Sequence, residues 1–179
     1  MQNDSTDIWE ALYAVIEAQS GYFTVGQAKD CGYSDQLLRY HRNKGRFQSV
    51  LRGVYRMTHF PPTDHEDLVA IWLWSEMKGV FSHETALVLH QLSDSLPSSI
   101  HMTFPRSWGK RRLRYPESVE PVFDDIDAEE RRWYGCVPVT TPARTIKDCR
   151  AAHVDPLIID QAVEEGLERG LFSRNELVK

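Results

Sequence analysis

The sequence predicts an α+β protein in two parts, a winged helix-turn-helix over residues 1–60 and a mixed α+β domain over residues 61–179. Three observations carry this. Gly21 to Met57 reads as a short helix, a Gly-containing turn, a second helix with a polar face and a basic two-stranded hairpin. Pro61-Pro62 then interrupts the chain as a stiff connection. Beyond it helices and strands alternate without the regular βαβ spacing of a doubly wound sheet.

In chain order, Thr6 or Asp7 caps a first helix from Ile8 to about Gln19, whose Ile8, Leu12, Val15 and Ile16 form an apolar stripe with Trp9 beside it. Thr24 is the N-cap of a second helix, Val25 to Cys31, which Gly32-Tyr33 breaks. Ser34 caps a third, with Asp35 and Gln36 in its first turn, and Gly45 stops it after Lys44. Phe47, Val50, Leu51, Val54, Tyr55 and Met57 then supply two short strands that turn at Arg52-Gly53.

On the third helix Leu38 and His41 fall on one side, with Leu37 beside them, while Gln36, Arg39, Tyr40 and Asn43 fall on the other at i, i+3, i+4, i+7. Arg, Asn and Gln carry donor and acceptor pairs that match purine edges in a major groove, so this row is the candidate base-reading face. Ser34, Lys44, Arg46, Arg52 and Arg56 are the candidate phosphate contacts. Residues 21 to 60 hold seven Lys or Arg against two acids, a local charge of +5, in a chain of net charge −5. A basic patch on an acidic protein points to double-stranded DNA. The same helix pair and hairpin also serve some proteins as a protein-docking module, which is the alternative.

In the second half, Thr63 to Glu66 is a T-x-x-E capping box that predicts a helix through Met77, apolar around most of its circumference and central to that half. Val80-Phe81 reads as a short strand, Ser82 as the cap of a helix to about Leu89, and Ile100 to Phe104 as a half-buried strand. Arg106, Lys110, Arg111, Arg112 and Arg114 follow without an intervening acid, a solvated loop or a second contact for nucleic acid or an acidic partner. Val119 to Phe123 is expected as an edge strand because Pro121 lacks a donor, and Arg131 to Val139 as further strand. Thr141-Pro142 opens a helix to about Ala152, Asp155-Pro156 another to Gly170. Ser173 to Glu176 repeats a capping box, which predicts a further element beyond Lys179.

Composition and motifs narrow the function. The longest apolar run, Leu68 to Trp74, is too short to span a bilayer, and the start MQNDSTD has no signal-peptide pattern, so a cytoplasmic protein without membrane contact is expected. Cys31, Cys136 and Cys149 show no metal or redox spacing and suit a reducing compartment. His83, Glu84 and His90 miss the HExxH zinc spacing, and Glu76-Met77-Lys78 places a nuclease-like E-x-K at the end of a helix. Asp124, Asp125 and Asp127 read better as a solvated acidic loop than as a Mg²⁺ site. No Gly-rich phosphate loop or G-x-S-x-G is present, so no catalytic residue, metal or cofactor is expected, and a metal-dependent nuclease is the lesser alternative.

Four segments, GYFTVGQAKDCGYSDQLLRYHRNKGRFQSVLRGVYRM, FSHETALVLHQLSD, IHMTFPR and VPVTTPARTIKD, together resemble the AbiEi family of antitoxins from type IV toxin-antitoxin systems, in the group with an N-terminal winged helix. The resemblance implies a transcriptional autoregulator whose N-terminal domain binds operator DNA, often an inverted repeat taken by two copies. It further implies a C-terminal domain with antitoxin activity against a nucleotidyltransferase-like toxin, with no stable complex required. The chain is short beside longer members of that family.

Overall fold

Leu12 and Ile16, one turn apart on the first helix, are fully buried, and the N-terminal unit is assembled on them. The computed structural model describes residues 2–94 and 96–177. Helix α1 spans Gln2–Ala18 and begins earlier than expected, since its first turns are polar and carry no stripe to mark them. Strand β1, Tyr22–Thr24, then leads directly into α2, Val25–Asp30. Thr24 closes a capping box: its Oγ1 accepts from the Gln27 amide at 3.1 Å, and Gln27 Oε1 accepts from the Thr24 amide at 2.9 Å. Gln27 also donates to Gln19 Oε1 at 2.8 Å, so the buried Gln19 side chain is satisfied and α2 is tied to the end of α1.

Gly32 makes the turn of the helix-turn-helix with φ +96°, a left-handed conformation that a side chain would strain. Helix α3, Asp35–Asn43, starts where Ser34 Oγ accepts from the Leu37 amide at 3.1 Å. Strands β2, Phe47–Leu51, and β3, Val54–Met57, form the hairpin, and Gly53 at φ +77° allows its tight reversal. The sheet order is β1-β3-β2, all antiparallel, so β3 is the middle strand. This is a winged helix-turn-helix. Phe23, Ala28, Tyr33, Leu38 and Phe47 join Leu12 and Ile16 in its core.

Helix α4, Glu66–Trp74, departs from expectation at both ends and in its allegiance. Its N-cap is His65, in a left-handed conformation with no side-chain cap, because the Glu66 carboxylate that would close the Thr63 box is held by Arg56 at 2.9 Å instead. It stops at Trp74, and Glu76 and Met77 turn the chain with φ of 56° and 59°. Its apolar circumference packs on β1, β2 and β3 rather than at the centre of the second half. The compact units accordingly divide between Met77 and Lys78, later than the Pro61-Pro62 joint suggests.

The C-terminal unit has a mixed five-stranded sheet in the order β6-β5-β4-β8-β7. Its strands are β4, Val80–Phe81; β5, Ile100–Phe104; β6, Val119–Phe123; β7, Arg131–Tyr134; and β8, Val137–Thr140. Where one strand was expected from Arg131 to Val139, Gly135 turns the chain and two antiparallel strands form. β6 is an edge strand, as Pro121 requires, and runs parallel to β5. Helices α5, His83–Leu89, α6, Pro142–Ala151, and α7, Pro156–Glu168, bury Leu87, Ile146, Cys149, Ile159 and Ala162 in a second core with Leu92 and Phe172. Burial pushes the Cys149 thiol up to about 12, which keeps it protonated and inert. The Ser173–Glu176 box closes only a 3₁₀ turn over Arg174–Leu177, Ser173 donating to Glu176 from its amide and its hydroxyl at 2.7 Å each.

Arg144, at the start of α6, holds this unit's loops together. Its Nε donates to Asp148 Oδ1 at 2.6 Å and its Nη1 to Glu130 Oε2 at 2.7 Å, and its Nη2 donates to Asp124. The side chain is 15% exposed, so removing it strands three carboxylates of which Asp148 is well buried. Replacing Arg144 by Met is expected to cost about 3 kcal/mol, the low end for a broken buried pair because Asp124 and Glu130 keep contact with water. Urea unfolding reads this as a lower midpoint with an unchanged slope; a loss below about 1 kcal/mol contradicts the role given to Arg144.

Candidate nucleic-acid interface

Leu38 and His41 point α3 inward, where His41 lies against Tyr33 and Phe47 at ring-centroid distances of 5.8 and 5.5 Å. The opposite side is thereby turned to solvent. Gln36, Arg39, Tyr40 and Asn43 are all exposed, Tyr40 by 52%. Burial holds the His41 imidazole below its usual value and Arg46 lowers it further. A neutral His41 accepts at Nδ1 from Arg46 Nη1, 3.4 Å away, and this steadies Arg46 at the foot of the hairpin.

Around that row the charges are sorted. Among the described residues, Arg39 on the helix and Arg52 at the hairpin tip have no ion pair, and both are exposed. Lys44 Nζ sits 5.9 Å from the Tyr40 ring centroid, at the end of the row. Asp35, an acid in the first turn of α3, is paired with Lys29 at 2.9 Å, which blunts its repulsion of phosphate. Ser34 Oγ is used as the helix cap but stays exposed with its hydroxyl proton available. Arg42 is exposed on the same helix; sequence reasoning counted its charge and gave it no role, although its place next to the row was the available signal.

Arg56 is a correction. Its Nη2 donates to Glu66 Oε2 at 2.9 Å and to the Phe60 carbonyl at 3.1 Å, its guanidinium lies 5.7 Å from the Tyr22 ring centroid, and its side chain is 15% exposed. It sits in the middle strand opposite Tyr22, where it fastens α4 to the sheet instead of standing out in solvent like Arg39 and Arg52. Nothing in the sequence reading placed β1 beside β3, and without β1 the burial of Arg56 was not visible.

The second basic segment is likewise thinned. Arg106 donates from Nε to Asp124 Oδ1 at 2.8 Å, and its amide donates to Asp125 at 3.2 Å, so part of its charge is met within the unit although the side chain stays 71% exposed. Arg111 lies 4.2 Å from the Trp108 ring centroid. Lys110, Arg112 and Arg114 are exposed. Residues 106–110 are a 3₁₀ turn pinned by buried Trp108, not a free loop.

The residues weighed for catalysis do not converge. His83 Nδ1 is 2.9 Å from Ser82 Oγ, whereas His90 Nε2 donates to the Thr140 carbonyl at 2.7 Å. Burial alone would raise the Asp124 carboxyl, but Arg106 and Arg144 hold it below the usual range, and Asp127 closes a capping box over residues 128–130. Among the described residues no three His, Cys, Asp or Glu side chains are placed to hold a metal ion. No described helix is long and apolar enough to cross a membrane.

Residues 10–58 match the family described as transcriptional regulator, AbiEi antitoxin. No curated protein matches the chain. Among solved structures, the crystal structure of the RV2827C protein from Mycobacterium tuberculosis is similar over 95% of this chain and 69% of its own, with a TM-score of 0.55 and 15% identity. That likeness is one of fold.

His83, at the start of α5, gives the C-terminal unit a readable titration. Burial, with His101 and Arg144 adding to it, lowers its pKa to about 4 from an ordinary 6.5. The unfolded chain therefore takes up the proton first, and the unfolding free energy falls as pH drops from about 6.5 to about 4, by roughly 3 kcal/mol from this group at 1.36 kcal/mol per pH unit. Imidazole signals of the folded protein should show His83 neutral at pH 5; a midpoint near 6.5 contradicts its burial.

Proposed function

We propose, from an N-terminal segment that carries the AbiEi antitoxin transcriptional-regulator domain, that this chain binds double-stranded operator DNA through its winged helix and represses its own operon. The observation that supports this best is the solvent-facing row Gln36, Arg39, Tyr40, Asn43 on α3, flanked by an Arg52-tipped hairpin. In this reading α3 enters the major groove and the row reads base edges, while Ser34, Arg42, Lys44, Arg46 and Arg52 hold phosphates on either side. Two copies on an inverted repeat suit a single reading helix per chain.

The unit Met1–Met77 is then the DNA-binding part, and Lys78–Lys179 carries the antitoxin activity of a type IV system in the cytoplasm. Its functional partner is a nucleotidyltransferase-like toxin, countered without a stable complex. The regulator chemistry proposed here is binding, and no bond is made or broken by the protein.

Binding to the DNA upstream of the chain's own gene, measured against random duplex over a range of salt, tests this reading. Arg39→Ala is expected to weaken operator binding by about 1–3 kcal/mol and random DNA far less. Arg52→Ala should weaken both and reduce the salt slope by about one phosphate, ~0.9. Arg56→Ala should leave the salt slope unchanged and lower thermal stability instead. Equal losses on both duplexes for Arg39→Ala remove it from base reading, and an affinity that ignores DNA sequence and survives moderate salt favours protein docking.

A further inference from the structure

The C-terminal unit contains a cleft of about 360 Å³ at the end of α5, bounded by β7 and the segment that follows α7. Its size falls in the range of small-molecule sites, roughly 300–1,000 Å³; a cleft of about 340 Å³ beside His153 and Ile159 falls there too, but has the Asp160 carboxylate in its lining. Leu89, Val139 and Leu171 give it apolar walls, Arg132 and Arg169 its charged groups, and Trp133 and Tyr134 its aromatic ones; no carboxylate is part of the lining. In a chain of net charge −5 such a lining favours an anion.

The two arginines are brought together by different elements. Arg132 and Tyr134 pair with Val139 and Val137 across β7 and β8, so by strand alternation they share one face; Trp133 between them also contributes to the lining. Arg169, just past α7, donates from Nη1 to the His90 and Gln91 carbonyls at 3.0 Å each, which fixes its guanidinium at the cleft wall. Arg169 Nη1 is also ion-paired with Glu165 at 3.6 Å, and the exposed Glu176 feels the charge of Arg132. Burial lowers the His90 imidazole; its bond to the Thr140 carbonyl raises it, and Arg132 and Arg169 lower it again. His90 is therefore neutral, and the positive potential of the cleft comes chiefly from Arg132, with Arg169 partly offset by Glu165.

We propose that this cleft binds a nucleoside 5′-phosphate, free or at the end of a single strand, with the phosphate on Arg132 and Arg169 and the base against the Tyr134 ring. Guanidinium groups match phosphate oxygens, a ring beside them supplies a face for a base, and the apolar walls exclude a bare inorganic anion as the best fit. The site is separate from the duplex-binding row on α3 and uses none of its residues.

Calorimetric titration of the full chain with adenosine 5′-monophosphate, adenosine, inorganic phosphate, and an RNA hexamer with and without a 5′-phosphate tests the proposal. The monophosphate should bind at least ten-fold more tightly than adenosine or phosphate alone. Arg132→Ala, at an exposed position, should weaken it about ten-fold, and Tyr134→Leu should weaken it about ten-fold while leaving phosphate binding unchanged. A 5′-phosphorylated hexamer that outbinds the mononucleotide identifies a strand end as the source, and the reverse order identifies a free nucleotide. Mononucleotide binding no tighter than phosphate, or unaltered by either substitution in variants that unfold at the parent temperature, overturns the proposal.

Discussion

The inward side of α3 governs the rest of the N-terminal unit. Leu38 and His41 must meet Tyr33 and Phe47 for the helix to seat, and once they do, the period of the helix leaves Gln36, Arg39, Tyr40 and Asn43 no direction but outward. The same contact fixes the hairpin, because Phe47 is both a core residue and the first residue of β2. His41 adds a polar link: as a buried neutral acceptor it steadies Arg46, so the packing that orients the reading helix also places a cation at its end. Reading face and wing are positioned by one set of side chains.

Charge in this protein is sorted into groups that bind inward and groups that face water. Arg56 and Arg144, each 15% exposed, are committed to carboxylates of their own unit and join separate elements, and the exposed Arg106 is paired with Asp124. Arg39, Arg42, Lys44 and Arg52 are left at the N-terminal surface, and Asp35, the acid in the first turn of α3, is paired with Lys29. A net charge of −5 therefore coexists with a local surface suited to a polyanion. Counting basic residues along the chain overstates that surface, since an arginine in the middle strand of a sheet is spent on packing.

Local signals in the sequence carried most of the architecture. The Thr24 and Ser34 caps, Gly32, Gly53 and the Pro residues at the starts of α6 and α7 each act within a few residues, and each appears where it was expected; β5 forms over the expected residues, but Thr103 is buried along with Met102 and Phe104, so the strand is covered on both faces instead of being half-buried. What escaped depends on partners far apart in the chain. β1 is three residues long and exists because β3 pairs with it, so no periodicity announces it. The Thr63 box was overridden by the attraction of Glu66 to Arg56, and that one ion pair moved both the start of α4 and the site standing of Arg56. The exposed row on α3 was legible because it is a property of one helix; the burial of Arg56 was not, because it is tertiary.

The account is tested most directly by titrating the isotope-labelled full chain with the duplex that lies upstream of its own gene and following the backbone amide signals. It predicts the largest shifts along residues 34–44, with a second group at Arg52 and Gly53, and little change at Arg56. Shifts that spare α3 and gather elsewhere in the chain would contradict it.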